Sequence, residues 1–234
     1  KTKEYLDLGN VSFVMAEMSP INTYRYKELQ PLQEKYNFDI IAFSITGRGL
    51  LSGKINEKTQ FSSNDIRSID PLFKKSKLVS GIKVTEKLRE IGSRHNMTPT
   101  QVAISWTIHN KGVVTGLIGP TKIEHLKENS QVLNLSLDTD SIEEINQLIE
   151  KEDDKLRKTM YEEVYSILTS SFSLDYEKTY NDLIYVIEYC MENQLIPYDD
   201  GINAYIKIEK DKSLSNKSLN ILNEIRNEIK SIMY

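Results

Sequence analysis

The 234-residue sequence holds one cysteine, Cys190. That excludes an internal disulfide and fits a reducing, cytosolic compartment. No apolar run approaches the roughly 18 residues that a membrane-spanning helix needs, and no signal-peptide pattern is visible. Neither charge sign dominates: 30 Lys and Arg stand against 34 Asp and Glu, a net of −4. Nothing here calls for a nucleic-acid or anionic-membrane partner. There is no internal repeat and no low-complexity tract. The three histidines, His95, His109 and His125, fall on separate elements without the spacing of a zinc site. The first residue is Lys1, not Met, so a trimmed terminus or a fragment of a longer protein is expected.

The 39% hydrophobic and 27% charged content is that of an ordinary soluble globular protein. Val11 to Met15 is apolar and flanked by Gly9 and Pro20, a short buried strand. Tyr24 to Lys35 reads as a helix interrupted by Pro31, and Phe38 to Phe43 as a second strand. A polar loop follows from Asn56 to about Ser76. Val79 to His95 spaces Val84, Leu88 and Ile91 as a helix does. Thr98, Pro99 and Gln101 predict a capping box that opens the next helix. Val113 to Ile118 is the third strand. Helices are expected over Ile123 to Gln131 and Asp140 to Lys151, the latter capped by Thr139 or Asp140. Strands alternating with helices predict a parallel α/β sheet. Three strands are too few to close on themselves as a barrel, so two sheet edges should need covering.

Composition shifts near residue 152. Of ten glycines only Gly201 lies beyond it, with nine of thirteen tyrosines. The chain from 153 onward carries a net charge of −5, against +1 before it. Helices are expected over 153–171, 175–193 and 214–234, and 202–209 is ambiguous. This predicts two domains: residues 1–152, and a mainly helical extension, 153–234, of unknown role. Cys190 reads as a buried structural thiol.

The chain is organised around Ile40-Ile41-Ala42-Phe43-Ser44-Ile45-Thr46-Gly47-Arg48-Gly49-Leu50-Leu51-Ser52-Gly53-Lys54. An apolar strand breaks into three glycines within seven residues. The spacing fits neither a dinucleotide fingerprint nor a P-loop. By spacing alone it is a strand and a glycine turn. The stretch does resemble the seventh-strand signature of the aldo-keto reductases. The resemblance continues in register through Asp65-Ile66-Arg67, Pro71-Leu72-Phe73 and the helix Thr98-Pro99-Thr100-Gln101-Val102-Ala103-Ile104-Ser105-Trp106. It ends with Leu117-Ile118-Gly119-Pro120-Thr121-Lys122 followed by His125, Leu126, Glu128 and Asn129. These motifs cover about residues 10–150.

The resemblance implies a partial (β/α)8 TIM barrel, with strands like the family's sixth to eighth, and a whole protein that is an NADPH-dependent carbonyl reductase. It implies that Phe43 stacks on the nicotinamide, and that Ser44, Thr46 and Gly47 hold the pyrophosphate. Gly119, Thr121, Lys122, His125, Glu128 and Asn129 would bind the adenosine 2′-phosphate and adenine. Met15 stands where the family has a glutamine for the carboxamide; a thioether cannot donate. Arg48 and Lys54 read as surface charges. The family's catalytic Asp, Tyr, Lys and His belong to its first four strands, so no catalytic residue is assigned in this chain. The expected partners are a nicotinamide nucleotide and a missing N-terminal half, or a partner chain, over the open edges. A second expectation is a non-catalytic remnant that senses nucleotide or binds protein.

Overall fold

The computed structural model describes residues 2–170 and, beyond them, residues 184, 186, 187, 189 and 190. The chain divides into two compact units, Lys1–Glu152 and Asp153–Tyr234. The first is built on three parallel strands in sheet order: β1 (Phe13–Glu17), β2 (Asp39–Phe43) and β3 (Val113–Gly116). The α/β class and the parallel pairing are as expected.

The helices follow local chemistry. A short α1 (Thr2–Asp7), not expected from the sequence, buries Leu6. Gly9 and Asn10 then both take positive φ, turning the chain so that pairing starts at Phe13, two residues later than expected. Helix α2 (Tyr24–Tyr36) runs through Pro31. Pro31 lies on the exposed face of the helix, where its ring meets solvent and not the packed core. Helix α3 (Lys75–His95) stops at Asn96, a left-handed cap whose N–H reaches the Gly92 carbonyl. Helix α4 (Pro99–His109) opens with the capping box. The Thr98 hydroxyl accepts from the Gln101 N–H at 3.3 Å, and the Gln101 amide oxygen accepts from the Thr98 N–H at 2.9 Å.

Helix α5 (Ile123–Ser130) follows β3, and α6 (Thr139–Ser170) runs unbroken through the stretches read as two helices. Its cap is Asp138, not Thr139 or Asp140: the carboxylate accepts from the Ser141 N–H at 2.7 Å. The stretch expected as a loop, 56–76, contains two 3-10 turns, Ile66–Ser68 and Pro71–Phe73. Asp65 and Asp70 cap them by accepting from the N–H two residues on. The segments 175–193, 202–209 and 214–234 lie outside the described residues, except the five single positions above, which are helical.

The core lies on one face of the sheet. Ala16, Ile40, Ala42 and Val113 are buried in one cluster with Leu88, Ile91, Val102, Ala103, Trp106, Ile145 and Ile149 from the helices. The other face differs. Register places Phe13, Met15 and Glu17 beside Asp39, Ile41 and Phe43, with Thr115 beside Ile41. Phe13 and Met15 are 55% and 57% exposed, and Ile41 and Phe43 only half-buried. Parallel sheets normally have both faces covered. Among the described residues this one has a helical layer on one face only.

Pairing of β2 with β3 contains an irregularity. Ile40 pairs with Val113 but Ile41 pairs with Thr115, so Val114 is an extra residue in β3, and it is 52% exposed.

Candidate nucleotide-binding site

Because the three strands are parallel, their C-terminal ends share one side of the sheet. Three connections leave there: 18–23 after β1, the glycine turn after β2, and 117–122 after β3. Cross-links between strands hold these exits together. The Met18 N–H donates to the Phe43 carbonyl at 3.1 Å, and the Leu117 N–H to the Ala42 carbonyl at 2.7 Å.

The glycine turn is a tight winding over Gly47–Ser52. Ser44, Gly47, Arg48, Gly49 and Gly53 all have positive φ. Glycine suits position 47 for two reasons. Its φ is +56°, and a Cβ there would press on the Ile21 side chain. Internal bonds lock the winding: Gly47 N–H to the Ser44 carbonyl at 2.8 Å, and Gly49 N–H to the Thr46 carbonyl at 3.1 Å. The Ser52 hydroxyl donates to the Gly49 carbonyl at 2.7 Å. Arg89 of α3 donates to the Gly53 carbonyl at 3.1 Å, and Leu50 is fully buried against Phe73 and Leu78. The turn therefore stands on packed helix and insert.

Each residue singled out from the sequence can now be placed. Phe43 ends β2, half-buried, on the open face of the sheet beside Glu17. Ser44 follows in the left-handed region at φ +56°, and Thr46 and Gly47 form the start of the turn. Gly119 is exposed, and an added Cβ would meet nothing within 4 Å. Thr121 and Lys122 are exposed, with Lys122 the residue that precedes the first turn of α5. His125, Glu128 and Asn129 lie along α5, each half-buried. The structure thus brings Phe43, Ser44, Thr46 and Gly47 to one strand end, and puts Gly119, Thr121 and Lys122 beyond the neighbouring strand end. Gln101 of α4 anchors α5 to this arrangement, donating to the Glu128 carbonyl at 2.8 Å and to the Gln131 side chain at 3.2 Å.

Arg48 is exposed, as a surface charge should be, but it is paired. Its guanidinium bridges Glu17 at 3.0 Å and Asp70 at 3.1 Å. The partners lie 31 and 22 positions away, so sequence spacing could not reveal the bridge. Arg67 pairs with Asp65, whose carboxyl that guanidinium holds down to about 2. Arg67 also lies over the Phe61 ring at 4.5 Å.

Other titratable groups sit elsewhere. His95 meets Ser141 at 2.9 Å and Asp138 at 3.3 Å, but through the same Nε2. A relay needs the two partners on opposite ring nitrogens, so this cluster ties α3 to the start of α6. Tyr26, whose pKa burial raises, donates to the Lys111 carbonyl at 3.0 Å. Lys111 precedes β3, at the far end of the sheet. Cys190 is buried, and that burial pushes its thiol up to about 12, as a structural thiol should be. Among the described residues no group of three or more potential ligands could hold a metal ion, and no helix is long and apolar enough to cross a membrane.

The profile of the aldo/keto reductase family matches residues 2–150. The chain belongs to the aldo/keto reductase family. Aldo-keto reductase str7 of Strobilurus tenacellus is 31% identical to it over 112 residues, covering 48% of this chain and 33% of that protein. Aldo-keto reductase yakc of Schizosaccharomyces pombe, whose name specifies NADP(+), is 24% identical over 140 residues, covering 58% and 41%. The chain thus spans well under half the length of these curated relatives. A solved glycerol dehydrogenase from Gluconobacter oxydans is similar with a TM-score of 0.55 at 20% identity, covering 64% of this chain and 46% of that one. This likeness concerns fold, and with the family match it implies a TIM-barrel α/β architecture for the sheet and its helices.

Proposed function

We propose that residues 1–152 are the nucleotide-binding C-terminal portion of a cytosolic, NADPH-dependent reductase of aldehydes or ketones, with β1 to β3 as the last strands of a barrel. One observation carries this reading: the glycine turn and the 117–122 connection leave the same end of adjacent strands. The residues present fit such a cofactor at its phosphate end. Gly119 leaves backbone room, Lys122 offers an exposed cation, and the first N–H groups of α5 favour an anion. Ser44 offers a hydroxyl to the pyrophosphate and Thr46 its backbone, while Gly47, its N–H taken by the Ser44 carbonyl, shapes the turn around them. Half-buried Phe43 offers a ring face toward the open side of the sheet. His125, Glu128 and Asn129 remain for the adenosine.

When bound, the cofactor supplies a hydride to the carbonyl carbon. This chain's contribution is to bind and orient it. The proton for the developing alkoxide comes, in this proposal, from strands outside the chain, which also cover the bare sheet face. A second reading is a nucleotide-sensing module without chemistry. Exposed Met15 favours it, since a thioether gives the carboxamide no donor.

Titration of the full chain with NADPH and NADH, by fluorescence or calorimetry, tests the proposal. NADPH should bind more tightly than NADH, and the chain alone should not oxidise NADPH with an aldehyde. Losing one general acid costs about 10²–10⁴-fold. Equal affinity for both nucleotides refutes the 2′-phosphate assignment. Steady turnover refutes the missing acid.

A further inference from the structure

We infer that Arg48 is a positioning residue that sets the conformation of the glycine turn by coupling two elements to it; the role at the nucleotide rests on the function proposed above. Arg48 has φ +51° and is flanked by Gly47 at +56° and Gly49 at +91°. An L side chain in this region is uncommon and costs backbone strain, so the surroundings must impose it. Two carboxylates on two other elements do so. Glu17 ends β1 and takes one guanidinium nitrogen at 3.0 Å. Asp70 takes Nε at 3.1 Å.

Asp70 is itself fixed. Its other oxygen accepts from the Leu72 N–H at 2.9 Å, capping the Pro71–Phe73 turn. Its side chain is 12% exposed and that of Glu17 23%, so solvent screens these pairs less than ordinary surface pairs. Arg48 therefore joins three segments, the end of β1, the glycine turn and the 65–74 insert. It has a planar fork of donors for two acceptors, which a lysine lacks. Phe43, Ser44 and Thr46 immediately precede this knot. Freeing Arg48 releases the turn on which their placement depends.

The test separates charge from backbone conformation. Arg48→Asn removes the guanidinium but keeps a residue type that tolerates positive φ, and Arg48→Lys keeps the charge and loses the fork. In the full chain, hydrogen exchange should rise about tenfold in Arg48→Asn at 46–53 and at 70–74 together, while α4 is unchanged. Arg48→Lys should fall between. Dissociation of NADPH in stopped flow should accelerate by a similar factor. Glu17→Gln and Asp70→Asn should each reproduce part of the rise, with little further effect on the Arg48→Asn background. Unchanged exchange at 46–53 in Arg48→Asn overturns the inference, whatever the nucleotide does. Raised exchange with unaltered NADPH dissociation overturns its link to binding. Raised exchange in a chain that never bound NADPH leaves the turn-setting role standing and removes the nucleotide reading instead.

Discussion

Replacing Gln101 by Glu is a sharp probe of how the site is held. Gln101 is buried and performs two separate jobs. Its amide oxygen accepts from the Thr98 N–H, closing the capping box, and its amide nitrogen donates to the Glu128 carbonyl and the Gln131 side chain. A carboxylate keeps the first job and cannot do the second. It even gains about 0.3–1 kcal/mol from sitting in the first turn of α4. Against that, two hydrogen bonds worth about 0.5–1.5 kcal/mol each are lost, and the Glu128 carbonyl faces a negative charge. The losses win, by about 2 kcal/mol. For a unit of this size that lowers Tm by about 4–8 °C. Gln101→Ala should be worse by about 1 kcal/mol, because the cap goes too.

Acidification provides a signature. A protonated carboxyl regains a donor for the Glu128 carbonyl, so the introduced group has a raised folded pKa. The recovery is complete below its unfolded pKa and disappears as pH rises through the folded one. Thermal or urea unfolding between pH 3.5 and 8 reads this directly. A variant within 0.5 kcal/mol of the parent at pH 7, or a deficit that deepens on acidification, refutes the reasoning.

Lys122→Ala should weaken NADPH binding about five- to tenfold and leave NADH unchanged, read by parallel fluorescence titrations; an equal loss for both would misplace the 2′-phosphate. Met15→Gln should tighten nicotinamide nucleotides about two- to tenfold by restoring an amide donor and acceptor, and no gain would place the ring elsewhere. Gly92→Ala should destabilise by about 1–3 kcal/mol in urea, because its Cβ presses on the Met97 carbonyl. Asp65, depressed to about 2 by Arg67, contributes stability above its unfolded pKa that is lost as pH falls through about 2. Its carboxyl resonance should therefore titrate near 2 by NMR, and a midpoint near 4 would mean that the Arg67 pair does not form in solution.

What the sequence made legible follows from range. Strands showed because Ile40 to Phe43 and Val113 onward are apolar runs between breakers, and the capping box because Thr98, Pro99 and Gln101 are neighbours. The two 3-10 turns do carry a local signal. Asp70-Pro71 repeats the cap-then-proline order of Thr98-Pro99, inside a stretch whose polar composition predicts a loop. The role of Arg48 had no such signal. It depends on Glu17 and Asp70, and only the fold puts them together. Asp138 outcompeted Thr139 and Asp140 as the cap because Asp138 reaches the Ser141 N–H while α6 has already begun at Thr139. For the candidate site the residue types rest on the resemblance alone, and the parallel order of the strands is why they share one end of the sheet.

The extra residue Val114 acts as a length adjustment. With uniform pairing, Ile41 would oppose Val114 and Ala42 would oppose Thr115, so Gly116 would lie level with Phe43. The insertion draws Gly116 back to Ala42, by one strand residue, about 3.3 Å. The 117–122 connection therefore starts one residue further back from the end of the sheet where the glycine turn begins. The insertion also decides which side chain faces which way, since one residue of register exchanges the two faces of a strand. Deleting Val114 would thus leave Thr115 and Gly116 opposite Ile41 and Ala42 in a regular ladder, whereas pairing Val114 regularly would push Gly116 forward and put the two loops out of step. In this unit the spacing between the loops is set in the strands beneath them.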